Sequence, residues 1–513
     1  MTVIINKQVC KRMFSINSYK FWKLPALLIF AFLSSGCEKD STPGPDKDRY
    51  EGTGYKVYVN GEEVRAYTCR VSAVPFNQIW DGYQRPIDQT ELAYMAQWDL
   101  PETGNSEVVI TVKQPIASVQ INPSWEGIQP RVDGQNVSFT LTGLTPRNLT
   151  LEVNGTHHAL HLFACAPQTD IPAEGSVTYY YGPGIHRPGR IKLQSGARVY
   201  LAPDAVVFGS FYAVNASDIR IWGRGTIDGS QLDRGMGSGL GFSGCSSIEI
   251  EGIVLRDAPM WCCSLFGCTD VNINNVKIVG QWRYNADGID VANCSNIQVS
   301  DCFVRSFDDA LAVKGMLQNN GEPEIVFIGD QNVENVTFER CVLWCDWGRA
   351  MVIGAETYAP TIRNVVFRDI DVIRTSDVFM DILHGNKAAI SDVTFENIDA
   401  GIDDHTPEPV FQTERGQTYT DPNRGYVPRL MSISIAPNGW LDDKTLGTVD
   451  HVTYRNITVH GNQVPTSDFA GYSSVYRIKD IEIDNLELDG SKATDAASAH
   501  LSIGEYVENV EFR

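Results

Sequence analysis

The stretch Tyr284–Gly315 carries two closely spaced pairs of aspartates. Asp287 and Asp290 form a first group, and Asp308 and Asp309 follow 21 and 22 residues after Asp287. The segments IQV and CFV between the groups alternate apolar and polar residues, which predicts two short strands around a turn. If one coil of a strand solenoid takes about that many residues, the two groups meet on neighbouring strands, roughly 4.8 Å apart. Carboxylates a coil or two apart suit acid and base roles on a glycosidic bond, where an inverting pair lies about 6.5–9.5 Å apart.

The adjacent pair Asp308-Asp309, together with Asp287, is more informative than any single aspartate. Neighbouring like charges destabilise each other, and crowding separates their pKa values, so that one group stays protonated while another is ionised. That is the division of work between a general acid and a general base. Asp290 taken alone fits a turn cap equally well, because aspartates commonly bond to the backbone in turns.

A repeat extends over the C-terminal two thirds of the chain. A polar pair followed by an alternating strand recurs from Pro167 onward. The first apolar residues of these units are Ile219, Ile248, Val271, Ile297, Val336, Val365, Val393, Val452, Ile481 and Val510. Most intervals are 23–29 residues, and the two longer ones, of 39 and 59 residues, indicate loops inserted near 318–331 and 403–447. Period-2 strands in units of this length predict a parallel β-helix over residues 167–513.

The region before the repeat has a different texture. Short alternating segments such as YKVYV, EVVITV, NVSFTL and NLTLEV, separated by turn residues, predict a β-sandwich over residues 54–166. The whole chain is therefore expected to be all-β. The role of the sandwich cannot be read from its residues, since no acidic cluster stands out in it.

The N-terminus is laid out as an export signal. Basic residues precede an apolar run, Leu24–Leu33, which ends in SSGC at Cys37. The run is too short for a comfortable membrane span. Small residues before a single cysteine resemble the lipobox of bacterial lipoproteins, which implies a signal peptide over 1–37, lipid on Cys37 and a flexible tether over 38–53. An ordinary secretory signal is the alternative. The expected location is the outer membrane or cell surface, with the periplasm as another option, and the lipid is the only expected membrane contact.

The net charge and the cysteine content limit the kinds of ligand and partner that the protein is expected to bind. The net charge of −21 argues against nucleic acid and makes a polyanionic substrate less favourable. The 12 cysteines show no paired CxxC motifs, so we expect no zinc site, no other metal and no cofactor. Most cysteines are expected to be small core residues, and the exported location would also permit one or two disulfides.

The motifs NADGID and DDALAVK resemble those of two related families. They are similar to the NTDGxD and DDCxAxK motifs of glycoside hydrolase family 28, the polygalacturonases, and to the corresponding aspartates of family 49, the dextranases and isopullulanases. Both families are right-handed parallel β-helices that hydrolyse with inversion, and family 49 adds an N-terminal β-sandwich. The resemblance implies that Asp308 is the general acid, that Asp287 and Asp309 activate water, and that Lys314 is the lysine of the second motif.

Two departures from the family 28 pattern bear on the substrate. Arg349 stands where the polygalacturonases carry the histidine of their GHG motif. Asp381 lies in the segment where the resemblance would place their RIK motif, whose cations bind the substrate carboxylate. An aspartate there would repel a uronate. The departures favour a neutral polysaccharide such as an α-glucan, cut by a dextranase-like enzyme.

Several further side chains are expected to contact the sugar. Aromatic rings stack on sugar faces, although each such ring also fits simple packing. The substrate-binding candidates are Asp290, Lys314, Arg349, Trp282, Tyr284, Trp347, Asp381 and His384.

Three other functions stay open at this point. A polygalacturonase-like pectin hydrolase would cut polygalacturonate. A polysaccharide lyase on the same fold would use the aspartates to hold Ca²⁺ and would depend on calcium. A non-catalytic carbohydrate-binding β-helix would bind glycans without cutting them.

Overall fold

The computed structural model describes residues 54–78, 84–317, 330–437 and 443–513. The predicted signal peptide, the tether and Cys37 lie outside these residues. Within them the chain is almost entirely β, with two short 3₁₀ helices, Ile87–Gln89 and Ser124–Glu126. None of the described segments forms a helix long and apolar enough to cross a bilayer.

The N-terminal part is a sandwich of two five-stranded sheets. Its strands in chain order are β1 (Tyr55–Val59), β2 (Glu62–Val64), β3 (Ala66–Ser72), β4 (Phe76–Asn77), β5 (Thr90–Asp99), β6 (Asn105–Val112), β7 (Val119–Asn122), β8 (Arg131–Asp133), β9 (Asn136–Thr142), β10 (Arg147–Val153) and β11 (Leu160–Cys165). One sheet has the order β2-β1-β6-β9-β8 and the other β3-β5-β11-β10-β7, while β4 belongs to neither. Alternate residues of the strands bury a shared apolar core, as the alternating sequence predicts.

The remaining strands coil into one 29-stranded assembly, apart from the two-residue strand β34. The first half comprises β12 (Tyr179–Tyr181), β13 (Gly184–Lys192), β14 (Arg198–Leu201), β15 (Ala205–Val214), β16 (Ser217–Gly223), β17 (Thr226–Asp228), β18 (Leu240–Ser243), β19 (Ser246–Glu251), β20 (Val254–Arg256), β21 (Cys263–Phe266), β22 (Thr269–Asn274), β23 (Lys277–Val279), β24 (Ile289–Ala292), β25 (Ser295–Ser300), β26 (Phe303–Ser306) and β27 (Leu311–Gly315). The second half comprises β28 (Val333–Glu339), β29 (Val342–Cys345), β30 (Met351–Thr357), β31 (Thr361–Arg374), β32 (Val378–His384), β33 (Ala389–Gly401), β34 (Val410–Phe411), β35 (Arg429–Ile435), β36 (Thr448–His460), β37 (Ser467–Ala470), β38 (Ile478–Leu488), β39 (Ser491–Lys492), β40 (Leu501–Ile503) and β41 (Val507–Phe512).

Apart from β39, which pairs antiparallel with β38, the strands pair in parallel with their counterparts one coil away and form three stacks around one apolar core. The all-β fold of a right-handed parallel β-helix after a β-sandwich is confirmed. The repeat read from the sequence is also the register of the structure. The ten apolar positions pair directly from Ile219 with Ile248 through to Ile481 with Val510. The long intervals of 39 and 59 residues do not disturb this register.

The polar residue before each repeated apolar residue explains the sequence pattern. Asn296, Asn335 and Asn364 have φ values of 57°, 58° and 52°, in the left-handed region that Asn tolerates better than most residues. Their side chains bond along the stack, Asn335 Nδ2 to Asn296 Oδ1 at 2.9 Å and Asn364 Nδ2 to Asn335 Oδ1 at 2.6 Å. A turn at the same place in every coil therefore fixes where each strand begins.

One small pairing connects the sandwich region to the second inserted loop. Strand β4 pairs in parallel with β34, Phe76 opposite Val410 and Asn77 opposite Phe411. We call this two-stranded sheet the bridge. It joins segments far apart in the chain at the side of the β-helix that carries the aspartates.

The cysteines behave as core residues. All ten in the described part of the chain are buried and form no disulfide there, Cys69 and Cys165 in the sandwich and the others in the β-helix. Several donate their thiol to a carbonyl in the same or the preceding coil, as Cys302 does to the Ser300 oxygen at 3.2 Å.

Candidate active site

The aspartates lie on the stack made of β21, β24, β27, β30, β32 and β35. Because Ile289 pairs with Leu311 and Leu311 with Met351, the positions two residues earlier are equivalent on three successive coils. Those positions are Asp287, Asp309 and Arg349. Asp287 and Asp309 are therefore one strand spacing apart, about 4.8 Å along the stack, as the 22-residue interval predicted.

Glycines allow the two aspartate turns to lie close to the neighbouring coils. A Cβ on Gly288 would come within 2.3 Å of the Ala310 carbonyl oxygen. A Cβ on Gly348 would come within 2.8 Å of both the backbone nitrogen and Oδ1 of Asp309. The missing side chains therefore let Gly288 lie against Ala310 and let Gly348 lie against Asp309.

A single ammonium group holds four carboxylates together. Nζ of Lys314 lies 3.7 Å from Asp287 Oδ2, 3.8 Å from Asp290 Oδ1, 3.9 Å from Asp309 Oδ2 and 3.6 Å from Glu356 Oε2. All five side chains are buried. Burial alone would lower the pKa of Lys314, but these carboxylates raise it above its usual value, so the lysine is charged.

Burial and crowding raise the pKa values of Asp287, Asp290 and Asp308, which favours the neutral form of these carboxyl groups. Desolvation first, and then Asp290 and Asp308, raise the pKa of Asp287 well above its usual value. Burial likewise raises the pKa of Asp290 well above normal, against the lowering effect of Lys314. For Asp308, burial and the neighbouring Asp309 raise the pKa to about 7. A carboxyl with that pKa still holds its proton near neutral pH, which a general acid requires.

Arg349 is a second cation, bound to three carboxylates. Its Nη1 lies 3.3 Å from Asp309 Oδ1, its Nε donates to Asp381 Oδ2 at 2.8 Å and its Nη2 lies 3.6 Å from Asp377 Oδ2. Its backbone N–H also donates to Asp309 Oδ1 at 3.1 Å. The position where the family 28 pattern has a histidine thus carries an arginine that anchors Asp309.

We expected the Asp381 carboxylate to face the substrate and repel a uronate, but the structure places it in an ion pair. It is buried and bonded to Arg349 one coil earlier, and burial raises its pKa to about 6 against the lowering effect of that arginine. The negative charge is therefore largely compensated within the protein. The expected direct repulsion of a uronate by Asp381 is weakened by this pairing.

The aromatic candidates line the packed wall of the site. Tyr284 is fully buried, with its hydroxyl donating to Gln412 Oε1 and its ring packed edge-on against Phe307. Trp347 stacks with Phe307 and meets Phe411 of the bridge edge-on at 4.8 Å. These ring faces contact protein side chains, so in this conformation neither is open to a sugar.

Trp282 and His384 lie in similar surroundings. The indole N–H of Trp282 donates to Asp257 Oδ1 at 2.8 Å, and Arg283 lies over its ring. His384 is fully buried at the end of β32, with Nδ1 2.8 Å from Thr357 Oγ1, and burial lowers its pKa to about 3. The structure does not bring His384 into contact with the aspartates.

Two residues of the site were missed by sequence reasoning. Glu356 lies at the end of β30 in a strand of ordinary composition, and its contact with Lys314 follows only from the stacking of the coils. Asn77 belongs to β4, 231 residues before Asp308, and its Nδ2 donates to Asp308 Oδ2 at 3.4 Å. No spacing or motif in the sequence connects these two residues to the aspartates.

Comparisons with known proteins agree with this architecture. Residues 217–413 match the family model described as glycosyl hydrolases family 28, and this span contains the four aspartates and both cations. A probable rhamnogalacturonase A from Aspergillus oryzae is 23% identical over 241 residues, which cover 44% of this chain and 48% of that protein. A probable rhamnogalacturonase E from Aspergillus flavus is 26% identical over 160 residues, 31% of each chain. The chain thus spans about half the length, or less, of these curated relatives.

A solved structure extends the likeness to both parts of the molecule. Dex49A from Penicillium minioluteum matches with a TM-score of 0.62 at 15% identity, covering 91% of this chain and 95% of that one. At this identity the match shows the fold, including the sandwich before the β-helix. Together the comparisons relate the chain to the glycoside hydrolases that are built on a parallel β-helix, of the family 28 and family 49 type, and they confirm the resemblance seen in the motifs.

Proposed function

We propose that the protein is an inverting glycoside hydrolase that cuts a polysaccharide. The observation that carries this proposal is the placement of Asp287 and Asp309 on successive coils beside Asp308, the carboxyl whose pKa is raised to about 7. Inverting hydrolysis needs a protonated acid and an ionised base on opposite sides of one glycosidic bond. The family 28 match over these same residues supports the assignment.

The three aspartates divide the proton transfers. Asp308 gives its proton to the glycosidic oxygen as the bond to the anomeric carbon breaks. A water molecule attacks that carbon from the opposite face, and its proton passes to the Asp287–Asp309 pair. Lys314 and Arg349 hold the pair in place, because Lys314 lies beside both carboxyl groups and Arg349 lies beside Asp309. The positive charge of Lys314 offsets part of the burial effect that raises the pKa of Asp287.

The substrate proposed is a neutral glycan, such as an α-glucan. The two cations nearest the aspartates are already engaged by carboxylates of the protein, Lys314 by four and Arg349 by three. The next cation along the stack, Arg429, contacts Asp377 and Asp468. A uronate would have to compete with these carboxylates for each cation, whereas a neutral sugar would not.

A galacturonan-type substrate is the second candidate. It is favoured by the curated relatives, which are named rhamnogalacturonases, and by the family 28 match. On this reading Arg349 or Arg429 would exchange one of its aspartates for the carboxylate of the sugar.

A calcium-dependent lyase is less compatible with the site. The ammonium of Lys314 occupies the place among Asp287, Asp290, Asp309 and Glu356 that a cation bound by these carboxylates would take. A calcium ion there would have to displace it.

The test is reducing-sugar release by the protein starting after Cys37. Dextran, pullulan, polygalacturonate and rhamnogalacturonan would be incubated in parallel, with Asp308→Asn as the inactive control. Release from dextran or pullulan supports the neutral-glycan proposal, and release only from the acidic polymers replaces it with the second candidate. Release of unsaturated products absorbing in the ultraviolet would indicate a lyase. Binding without release from any polymer would contradict hydrolysis and favour the carbohydrate-binding alternative.

We also propose that the protein is exported and lipidated on Cys37, on the strength of the signal-like segment that precedes this residue. Labelling cells that produce the full chain with a radioactive fatty acid tests this. Incorporation that is lost in Cys37→Ala supports lipidation, and equal labelling or none in both contradicts it.

A further inference from the structure

The bridge brings a residue of the N-terminal part to the proposed acid. Its two strands are held by backbone bonds, the Val410 N–H donating to the Pro75 oxygen at 2.9 Å and the Gln412 N–H to the Asn77 oxygen at 2.6 Å. Phe76 packs edge-on against Tyr419 with ring centroids 5.8 Å apart. The backbone at Asn77 is thus fixed by the inserted loop, independently of its side chain.

The side chain of Asn77 is buried and its orientation is determined. Its Oδ1 accepts the N–H of Gln78 at 2.8 Å, which leaves the amide Nδ2 to donate to Asp308 Oδ2 at 3.4 Å. The other oxygen of Asp308 accepts the Asp309 N–H at 3.1 Å. Each carboxyl oxygen of Asp308 therefore has one defined donor, and Asn77 supplies the one that comes from a side chain in the described part of the molecule.

The charged side chains described around Asp308 act on it as charges rather than through hydrogen bonds. The carboxyl groups of Asp287, Asp290 and Asp309 disfavour its ionisation, and the cationic groups of Lys314 and Arg349 favour it. Both cations have closer contacts with other carboxylates. The Asn77 amide is a neutral donor to Oδ2, so it orients the Asp308 carboxyl without neutralising its charge.

We propose that Asn77 is a positioning residue for Asp308, and that through it the N-terminal part completes the active site of the β-helix. This inference rests on the proposed function. When Asp308 transfers its proton to the glycosidic oxygen, the carboxyl becomes a carboxylate, and a hydrogen bond to a carboxylate is about twice as strong as one between neutral groups. The Asn77 amide thus stabilises the transition state more than the ground state, which affects kcat rather than KM.

The kinetic test compares Asn77→Ala with Asn148→Ala on the polysaccharide that the wild-type protein cleaves. Asn148 is a matched control, because its Nδ2 also donates from the sandwich to the β-helix, at 3.2 Å to the Asp301 carbonyl, away from the aspartates. We expect kcat of Asn77→Ala to fall about 10–100-fold with KM changed by less than about threefold, and Asn148→Ala to match the wild type. Equal kinetics of the two variants would overturn the inference.

Two further readouts separate positioning from a structural defect. Because the lost bond favoured the carboxylate, the pKa of Asp308 should rise in Asn77→Ala, so the alkaline limb of its kcat/KM profile should move to higher pH. On a glycosyl fluoride of the same sugar, whose leaving group needs no proton, the deficit of Asn77→Ala should shrink to less than about threefold. An unchanged pH profile, or an equal deficit on both substrates, would contradict the proposal.

A stability measurement without substrate tests the contact between Asn77 and Asp308 whether or not the protein is a hydrolase. Thermal unfolding of the wild type, Asn77→Ala, Asp308→Ala and the double variant gives the coupling between the two side chains. We expect non-additive shifts in Tm at pH 8, where Asp308 is ionised, and smaller coupling at pH 4. Coupling without activity on any glycan would refute the proposed function but keep the contact, whereas activity with no coupling would refute the role of Asn77.

Discussion

Two regions of the β-helix share one backbone register and use it for opposite purposes. In the later coils, equivalent positions carry groups that satisfy each other. Phe338, Phe367, Phe395 and Tyr454 stack with centroids 5.0–5.1 Å apart, and Asn456 bonds to Asn397 at 2.9 Å and to Asn485 at 3.0 Å. Each coil repeats the interaction of the coil before it.

In the coils of Asp287 and Asp309, two equivalent positions both carry carboxyl groups. Both carboxylate oxygens of Asp290 and Oδ1 of Asp287 are buried and make no hydrogen bond within the described part of the chain, so their compensation comes from the ammonium of Lys314. Burying carboxylates in this way is costly. The regular coils therefore stabilise the fold, whereas the aspartate coils hold groups with shifted pKa values at the proposed active site.

The strongest way to break the aspartate region is to neutralise its charges. Asp308→Asn and Asp309→Asn should each lower kcat about 10²–10⁴-fold, because the proposed acid or base is lost while the shape of the side chain is kept. Reducing-sugar assays on the cleaved polysaccharide measure this, with circular dichroism to confirm folding. Rates equal to the wild type in either variant would contradict the assignment.

Asp308→Asn should also change how the stability of the protein depends on pH. The folded pKa of Asp308 is raised to about 7, above the unfolded value, so the wild-type protein loses stability as the pH rises from about 4 through about 7. Asparagine has no carboxyl group to ionise, so the Asp308→Asn variant does not lose stability in this way. The Tm of Asp308→Asn should therefore exceed that of the wild type at pH 8, and the difference should disappear towards pH 4. A difference independent of pH would argue against a raised pKa at this residue.

The two buried lysines offer the next largest contrast. Lys314→Met leaves four carboxylates without their shared cation and should lower the free energy of unfolding by about 3–5 kcal/mol. Lys277 is the matched control, since it is equally buried but bonded to the carbonyl and side-chain oxygens of Asn275, and burial lowers its pKa. Urea unfolding of Lys314→Met and Lys277→Met should show the larger loss of unfolding free energy in Lys314→Met. An equal loss would mean that the carboxylate cluster does not depend on Lys314.

A smaller disturbance acts on geometry alone. Gly348→Ala would place a methyl group about 2.8 Å from the backbone and side chain of Asp309 and should reduce kcat about 10-fold by displacing that carboxylate. Gly425→Ala is the control, because its Cβ would meet its nearest neighbour, Asn423 Oδ1, at 3.5 Å. Matching kinetics for the two variants would show that the position of Asp309 tolerates the methyl group.

The smallest expected effect lies in the regular region. Asn456→Ala removes two ladder bonds at an exposed turn with φ 52° and should cost about 1–2 kcal/mol without changing kcat. Asn456→Gly keeps the left-handed turn accessible, so the difference between the two variants measures the backbone strain separately. Chemical denaturation of both reports the effect, and a loss of activity in either would contradict the separation of the two regions.

Much of the architecture was predictable because it is periodic. The apolar positions from Ile219 to Val510 gave the strand register directly, since each lies after a turn that only a few residue types tolerate. The neighbouring placement of Asp287 and Asp309 followed from the same period. Once the period was known, the positions of these carboxylates were determined.

The contents of the site were less predictable, because they depend on contacts between different coils and loops. The burial of Tyr284 results from Gln412 and Phe307, and the pairing of Asp381 results from Arg349. No local sequence pattern distinguishes an aromatic ring packed inside the protein from one exposed in a binding cleft. Asn77 could not be found at all, since a two-residue strand with no periodicity brings it to Asp308.

The preserved register across the intervals of 39 and 59 residues has a consequence for how such a molecule can change. A turn that grows by thirty residues leaves every strand before and after it opposite the same partner. The length and composition of the loops are therefore free to vary under selection, while the spacing of the aspartates stays constant. New substrate preferences can arise by exchanging the surrounding loops, with no compensating change in the coils beneath.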